Sequence, residues 1–246
     1  MLSVAEHKGT NFTVVRGVES SVGNSLTGIG FGGSAIINTV STPEPLVVVS
    51  SNDNDGAGDG SGAIVVKVTA AITMEEGHLE EFFFVVGLEG TTPVPLDYEA
   101  TDILRAEVIE TGSANSNIGT ISFKTALTDT VLRTIPATVG TSQSSLATVT
   151  RRSKIKQLNI HTDATTTSNV PELYEIVVRI NEEQDSGDFS ATASGNILAT
   201  FYAKPGQNIF EMFDVVSEGT QLWVTAKNVT NSNNNAISTE MILYGF

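Results

Sequence analysis

The chain has 246 residues, 40% of them hydrophobic, 7% aromatic and 17% charged, enough for one large β domain or two of ~100 residues each. Thirteen Lys and Arg face 28 Asp and Glu, a formal charge of −15, so the surface as a whole repels nucleic acid and anionic membranes. With no cysteine, disulfides, thiolate metal sites and a cysteine nucleophile are excluded, and no apolar run approaches the ~18 residues of a membrane-spanning helix.

The opening "MLSVAEHKGTNFTVV" lacks a basic segment followed by an apolar one, so it does not read as a secretory signal. Residues 1–40 form a first region. Its "GNSLTGIGFGGSAIINTV" carries Gly30, Gly32 and Gly33, which deny it a helix. Isolated Ile29, Phe31, Ile36 and Ile37 favour an extended arm that orders against a neighbour over a free tail.

From residue 46 the period is two. "GAIVVKVTAAIT" predicts a strand with Ile64, Val66, Val68, Ala70 and Ile72 on one face and Lys67, Thr69 and Thr73 on the other. "EEFFFVVGL" sets Phe82, Phe84, Val86 and Leu88 against Phe83 and Val85, apolar on both faces like a central strand or a subunit contact. "ILRAEVIET" turns Leu104, Ala106 and Val108 inward, and "IGTISFKTA" does so with Ile121 and Phe123. "VLRTIPATV" closes this set, and "GTSQSS" over 140–145 reads as a weak linker.

A second set follows. Leu158 and Ile160 alternate with Gln157 and Asn159, and "ELYEIVVRI" offers Tyr174, Ile176, Val178 and Ile180 to one side. "NILATFYAKPGQ" is a strand ending in Lys204-Pro205-Gly206-Gln207, which suits a type II turn. "TQLWVTAKNV" and "STEMILYGF" complete the series, with Trp223 and Tyr244 expected near the core and their polar tips near the surface. Only "TMEEGHLEE" and "GQNIFEMFDVV" have any helical character, and the second reads equally as a strand. The expected fold is all-β: two tandem antiparallel β-sandwich or jelly-roll-like domains, 41–140 and 141–246, after an N-terminal arm over 1–40.

Candidate sites are few. In "SSNDNDGAGDGSGAIVV", residues 50–66, Asp53, Asp55 and Asp59 offer oxygens at alternating positions. An EF-hand fails here, because Ala57 stands at the fifth position, Ile64 at the twelfth, and a strand follows. An irregular calcium site of Asp53, Asp55 and Asp59 competes with plain turn chemistry, in which Asn and Asp close Asx turns and Gly supplies positive φ; the turn reading is preferred. His7, His78 and His161 have no nucleophile on a G-x-S-x-G elbow to serve. "GIGFGG" has no βα unit around it, and no H-E-x-x-H occurs. Glu75/Glu76, Glu80/Glu81 and Glu182/Glu183 read as solvated charge. The chain is therefore expected not to be an enzyme and to use no cofactor. The basic cluster Arg151-Arg152-Ser153-Lys154-Ile155-Lys156 reads as a strand edge, hairpin or subunit contact, with a polyanion contact as the alternative.

Three stretches carry a resemblance: "VVSSNDNDGAGDGSGAIVVKV", "GLEGTTPVPL" and "VIETGSANSNIGTISF". They are similar to S-S-N-D-x-D-x-x-x-G-x-G-A, L-x-G-T-T-P-V and G-S-x-x-x-N-x-G-T-I patterns of virion structural proteins of tailed phages, especially marine ones. The matching positions are Ser50 to Ala63, Leu88 to Val94 and Gly112 to Ile121, within residues 46–125; Asp59-Gly60 looks inserted. The resemblance implies a virion location, after synthesis in a host cytoplasm, and carries no catalytic residue. The expected role is a capsid decoration, cement or vertex protein that self-assembles, as a homotrimer, and contacts other virion proteins such as the major capsid protein. A receptor- or glycan-binding tail module and a jelly-roll shell protein are the alternatives. Surface Trp and Tyr beside carboxylates would favour the first, and self-assembly into shells the second.

Overall fold

The computed structural model describes residues 12–30, 38–40, 42–56, 58, 60–74, 79–142, 147–163, 172–181, 187–188, 196–230 and 234–246. These are strands and turns without a helix, so the expected all-β class holds. "GQNIFEMFDVV" resolves into two strands. Two compact units divide the chain, and each has its own apolar core.

The described residues of the first unit lie within Ser34–Ser142 and Asp185–Asp188. One sheet orders β10 (Val131–Ile135), β9 (Ile121–Thr125), β4 (Glu44–Ser50) and β7 (Val94–Ala100). The other orders β6 (Leu79–Gly87), β5 (Ala63–Thr73) and β8 (Asp102–Thr111). A small ribbon pairs β3 (Asn38–Thr39) with β14 (Gly187–Asp188). Inward residues of both sheets, Val48, Phe84, Val86 and Phe123 among them, form one core, as in a sandwich.

The expected alternation in this unit holds on β6 and β9 and slips at bulges. Along β5 the register shifts at Val65, so Ala63 is buried and Ile64 is only half-buried. On β8 the register skips Leu104, and Ile103 takes the core place expected for it. β6 is an edge strand, and Lys67 stands over Phe83, 5.1 Å from its ring centre.

The second unit gathers Thr10–Gly33, Gln143–Gln184 and Phe189–Phe246. One sheet runs β1 (Phe12–Val22), β19 (Asn235–Gly245), β12 (Ser153–Asp163), β16 (Gly206–Glu211), with β17 (Val215–Val216) also on β12. The other runs β11 (Ala147–Thr148), β18 (Gln221–Asn228), β13 (Tyr174–Asn181), β15 (Asn196–Ala203), with β2 (Thr27–Gly28) also on β18. Taken in chain order as strands one to eight, β1, β11, β12, β13, β15, β16, β18 and β19 pair first with last, second with seventh, third with sixth and fourth with fifth. That is one long antiparallel hairpin rolled into two facing sheets, the jelly-roll wiring.

Residues 12–22, expected within an arm, instead pair along β19 of the same chain from Phe12↔Tyr244 to Val22↔Asn235. Their inward positions include Gly17 and Glu19, which hide the apolar period. The rest of that expectation, residues 1–11 and 31–37, lies outside the described residues.

The second strand position is split. β2 lies opposite Thr225 and Ala226, Ile29 donates its N–H to the Val224 carbonyl at 2.9 Å, and the chain turns away at Gly30, φ 80°. It returns as β11 opposite Leu222 and Gln221. The first unit's segment Ser34–Ser142 is thus inserted in sequence between β2 and β11 of the second.

Candidate functional site: a carboxylate knot and a cation–aromatic face

The opening Asp-Gly stretch forms a knot in the first unit. Asp55 is fully buried. Its Oδ1 accepts N–H bonds from Ala63 at 2.8 Å and Ile118 at 2.9 Å; its Oδ2 accepts from Gly119 at 2.8 Å and from the Ser50 hydroxyl at 2.6 Å. Both oxygens are consumed by protein donors, the usual fate of a buried carboxylate. Asp53 is on the rim, where Thr91 donates both its backbone N–H, at 3.1 Å, and its hydroxyl. Those two bonds stabilise the anion and hold the Asp53 carboxyl below the usual range.

Around this carboxylate the backbone closes further. Ser50 donates its N–H to the Gly90 carbonyl at 3.0 Å, Ser51 to Thr120 at 3.0 Å, and Gly112 to Gly62 at 2.7 Å. Asn117, fully buried, donates its side-chain amide to Gly119 and Pro136 carbonyls, both at 2.7 Å. A side chain at Gly119 would sit 2.6 Å from the Ser50 hydroxyl and 2.8 Å from Asn52, so that position must be bare. The three stretches that carry the resemblance, Ser50–Ala63, Leu88–Val94 and Gly112–Ile121, are therefore neighbours in space.

For the calcium alternative, Asp55 is committed inward, Asp53 is tied to Thr91, and Asp59 lies outside the described residues. Among the described residues no three His, Asp or Glu side chains gather into a metal-sized group. An open hollow of about 500 Å³ borders Asp53, Glu89 and the glycines between 56 and 60.

The other sequence candidates are dispersed. His161 is exposed and paired with Asp163 at 2.8 Å. His7, His78, Glu75, Glu76, Glu182 and Glu183 lie outside the described residues. Trp223 is 1% exposed, so it is not the surface ring that glycan recognition asks for. Tyr244, expected near the core, is 48% exposed: it stands on the outward face of β19, in the alternation that buries Leu243.

Tyr244 belongs to a second cluster, on the outer face of β17, β12 and β19. Outward residues alternate with buried Ser153 and Ile155, so Arg152, Lys154 and Lys156 point the same way. Each covers an aromatic ring. Arg152 is 5.3 Å from the Phe246 ring centre, Lys154 4.9 Å from Phe213, and Lys156 5.9 Å from Tyr244. Phe213 and Phe246 are 67% and 66% exposed, so the cations shield one side of each ring and leave the rest to solvent. Farther along the same outer face the surface turns polar. Arg16 bonds Glu240 at 2.8 Å, Asn159 bonds Glu240 at 3.1 Å, and a shallow groove of about 390 Å³ runs past them to His161.

Two buried polar sets were invisible to pattern reading, because Arg133 meets Asp102, and Asn235 meets Glu172 and Tyr174, across long stretches of sequence. Arg133 and Asp102, 1% and 0% exposed, form an ion pair at 3.6 Å in the first unit. Burial pushes the Arg133 guanidinium down from its ordinary range, and Asp102 opposes that shift. In the second unit the Tyr174 hydroxyl donates to Glu172 at 2.8 Å, and the Asn235 amide reaches Glu172 at 2.9 Å and Tyr174 at 2.5 Å. Burial, reinforced by Glu172, raises the Tyr174 phenol above its ordinary value of 10.0.

No family model matches this chain, and no curated protein matches it. Among solved structures, one titled "Structure of infectious bursal disease virus Gt strain" is similar at 11% identity and TM-score 0.22, covering 100% of this chain and 73% of that one. The infectious bursal disease virus VP2 subviral particle is similar at 11% identity and TM-score 0.21, covering 97% and 72%. The jelly-roll assignment rests on the strand pairing alone.

Proposed function

We propose that this chain is a non-enzymatic structural component of a virus particle, attached to the capsid as a decoration, cement or vertex protein. The observation that carries the reading is the complete eight-strand jelly-roll wiring of the second unit, an architecture at home in particle-building proteins as well as in lectins and cupins. The phage resemblance of residues 46–125 supports the same location. The exposed cation–aromatic face supports attachment, because it is a localised adhesive patch on a chain of charge −15.

A second reading, a shell-forming protein in its own right, is favoured by the fact that one chain supplies all eight strands of the roll. Electron microscopy and sedimentation of the purified chain separate the two. Small symmetric oligomers that bind particles lacking the protein are expected for the first reading. Closed shells formed by the chain alone would establish the second. A monomer that neither assembles nor binds particles would end both.

A further inference from the structure

The cation–aromatic face is the part of the molecule least like the rest of it. Arg152, Lys154 and Lys156 put three of the chain's 13 Lys and Arg on one face, in a chain with 28 Asp and Glu. Glu211 and Asp214 border the face and leave it net basic. Its exposed rings flank paired backbone: Phe246, just past β19, donates its N–H to Arg152 at 3.0 Å, and Met212, beside Phe213 in the short connection from β16 to β17, donates to Lys156 at 3.0 Å. The backbone beside the rings and cations is thus tied to the sheet, which limits the ordering cost of binding. Aromatic residues and Arg are the side chains that anchor protein interfaces.

We infer that this face docks an acidic surface of a second copy of the same chain. The inference rests on the particle reading above and names the contact through which the copies associate. Charge complementarity selects the occupant. Any other copy carries the same excess of carboxylates over its surface as a whole, whereas face-to-face contact would press three cations against three. The contact must therefore join two different surfaces, basic on one copy and acidic on the next. Such a head-to-tail contact closes only as a ring, for which a trimer is the expected size, or else propagates as an open array. A single-stranded polyanion, which would also use interleaved cations and rings, is the competing occupant; the overall charge disfavours it.

The test is sedimentation velocity on the full chain over a concentration series, at about 50 mM and about 500 mM NaCl. Wild type is expected to form a discrete oligomer at low salt that loosens at high salt. Lys154→Glu/Lys156→Glu and, independently, Phe213→Ser/Phe246→Ser are each expected to weaken association about tenfold or more. Circular dichroism checks that each variant keeps its strands. An oligomer indifferent to salt and to both variants overturns this contact and leaves the particle reading standing. Tight binding of a single-stranded oligonucleotide, abolished by the charge reversal, overturns it in favour of the polyanion. A wild-type chain that stays monomeric yet still binds particles overturns it as well, and a monomer that binds none removes the particle reading too.

Discussion

At the residue scale, Asp55 has the largest predicted effect. Its four donors come from residues 50, 63, 118 and 119, and removing the carboxylate leaves all of them facing a cavity. Asp55→Ala is expected to cost about 4 kcal/mol or more in urea unfolding, and exposed Asp53→Ala much less in the same experiment. That Asp, Asn and Gly would make turns here was legible, because each residue type carries its backbone preference with it. That one carboxylate would tie together segments 63 residues apart was not, since nothing local encodes the pairing. Tyr174 supplies a pH signature. Its folded pKa is raised, so its contribution to stability is complete below the unfolded value near 10.0 and is lost as pH rises through the folded value. Wild type should lose stability steadily above pH 10.0, and Tyr174→Phe should flatten that slope while costing about 1–3 kcal/mol at neutral pH. Chemical denaturation at stepped alkaline pH measures both; an unchanged slope would show that the phenol does not govern it.

At the element scale, strand existence followed from alternation wherever inward positions are large and apolar, as at Phe82, Phe84 and Val86 on β6 or Leu158 and Ile160 on β12. Phase was less legible. A bulge such as that at Val65 or Leu104 exchanges the faces without altering composition, because it depends on what the neighbouring strand offers. β1 was hidden for another reason: Gly17 and Glu19 occupy buried positions where a pattern search expects Val or Ile. The pairing of β8 with β10 through Asp102 and Arg133 gives this scale its prediction. Arg133→Met alone should destabilise the chain by about 3–5 kcal/mol, since it strands a buried carboxylate. Arg133→Met with Asp102→Val should recover most of that loss. Urea melts of the two variants decide it, and equal losses would show that the ion pair is not the source.

At the scale of the whole molecule, tandem organisation was the natural reading of two strand sets separated by "GTSQSS". The topology is nested instead, a relation carried by the pairing of β1 with β19, more than 200 residues apart. The split second strand sharpens this. Gly28 faces Thr225, Ile29 bonds Val224, and Ala147 faces Leu222. Counting along β18, Gly30 falls opposite Trp223, so Ala147 takes up the ladder at the next rung with no position missing. A chain joined directly from Gly30 to Ala147 should then fold as a soluble jelly roll with a cooperative thermal transition. A persistently molten product by near-ultraviolet circular dichroism would contradict this. The gap is, in effect, a cassette slot. Whatever is spliced there inherits an anchored entry and exit on adjacent rungs, so a foreign domain whose termini lie close together could replace residues 31–146 without disturbing the roll that carries it.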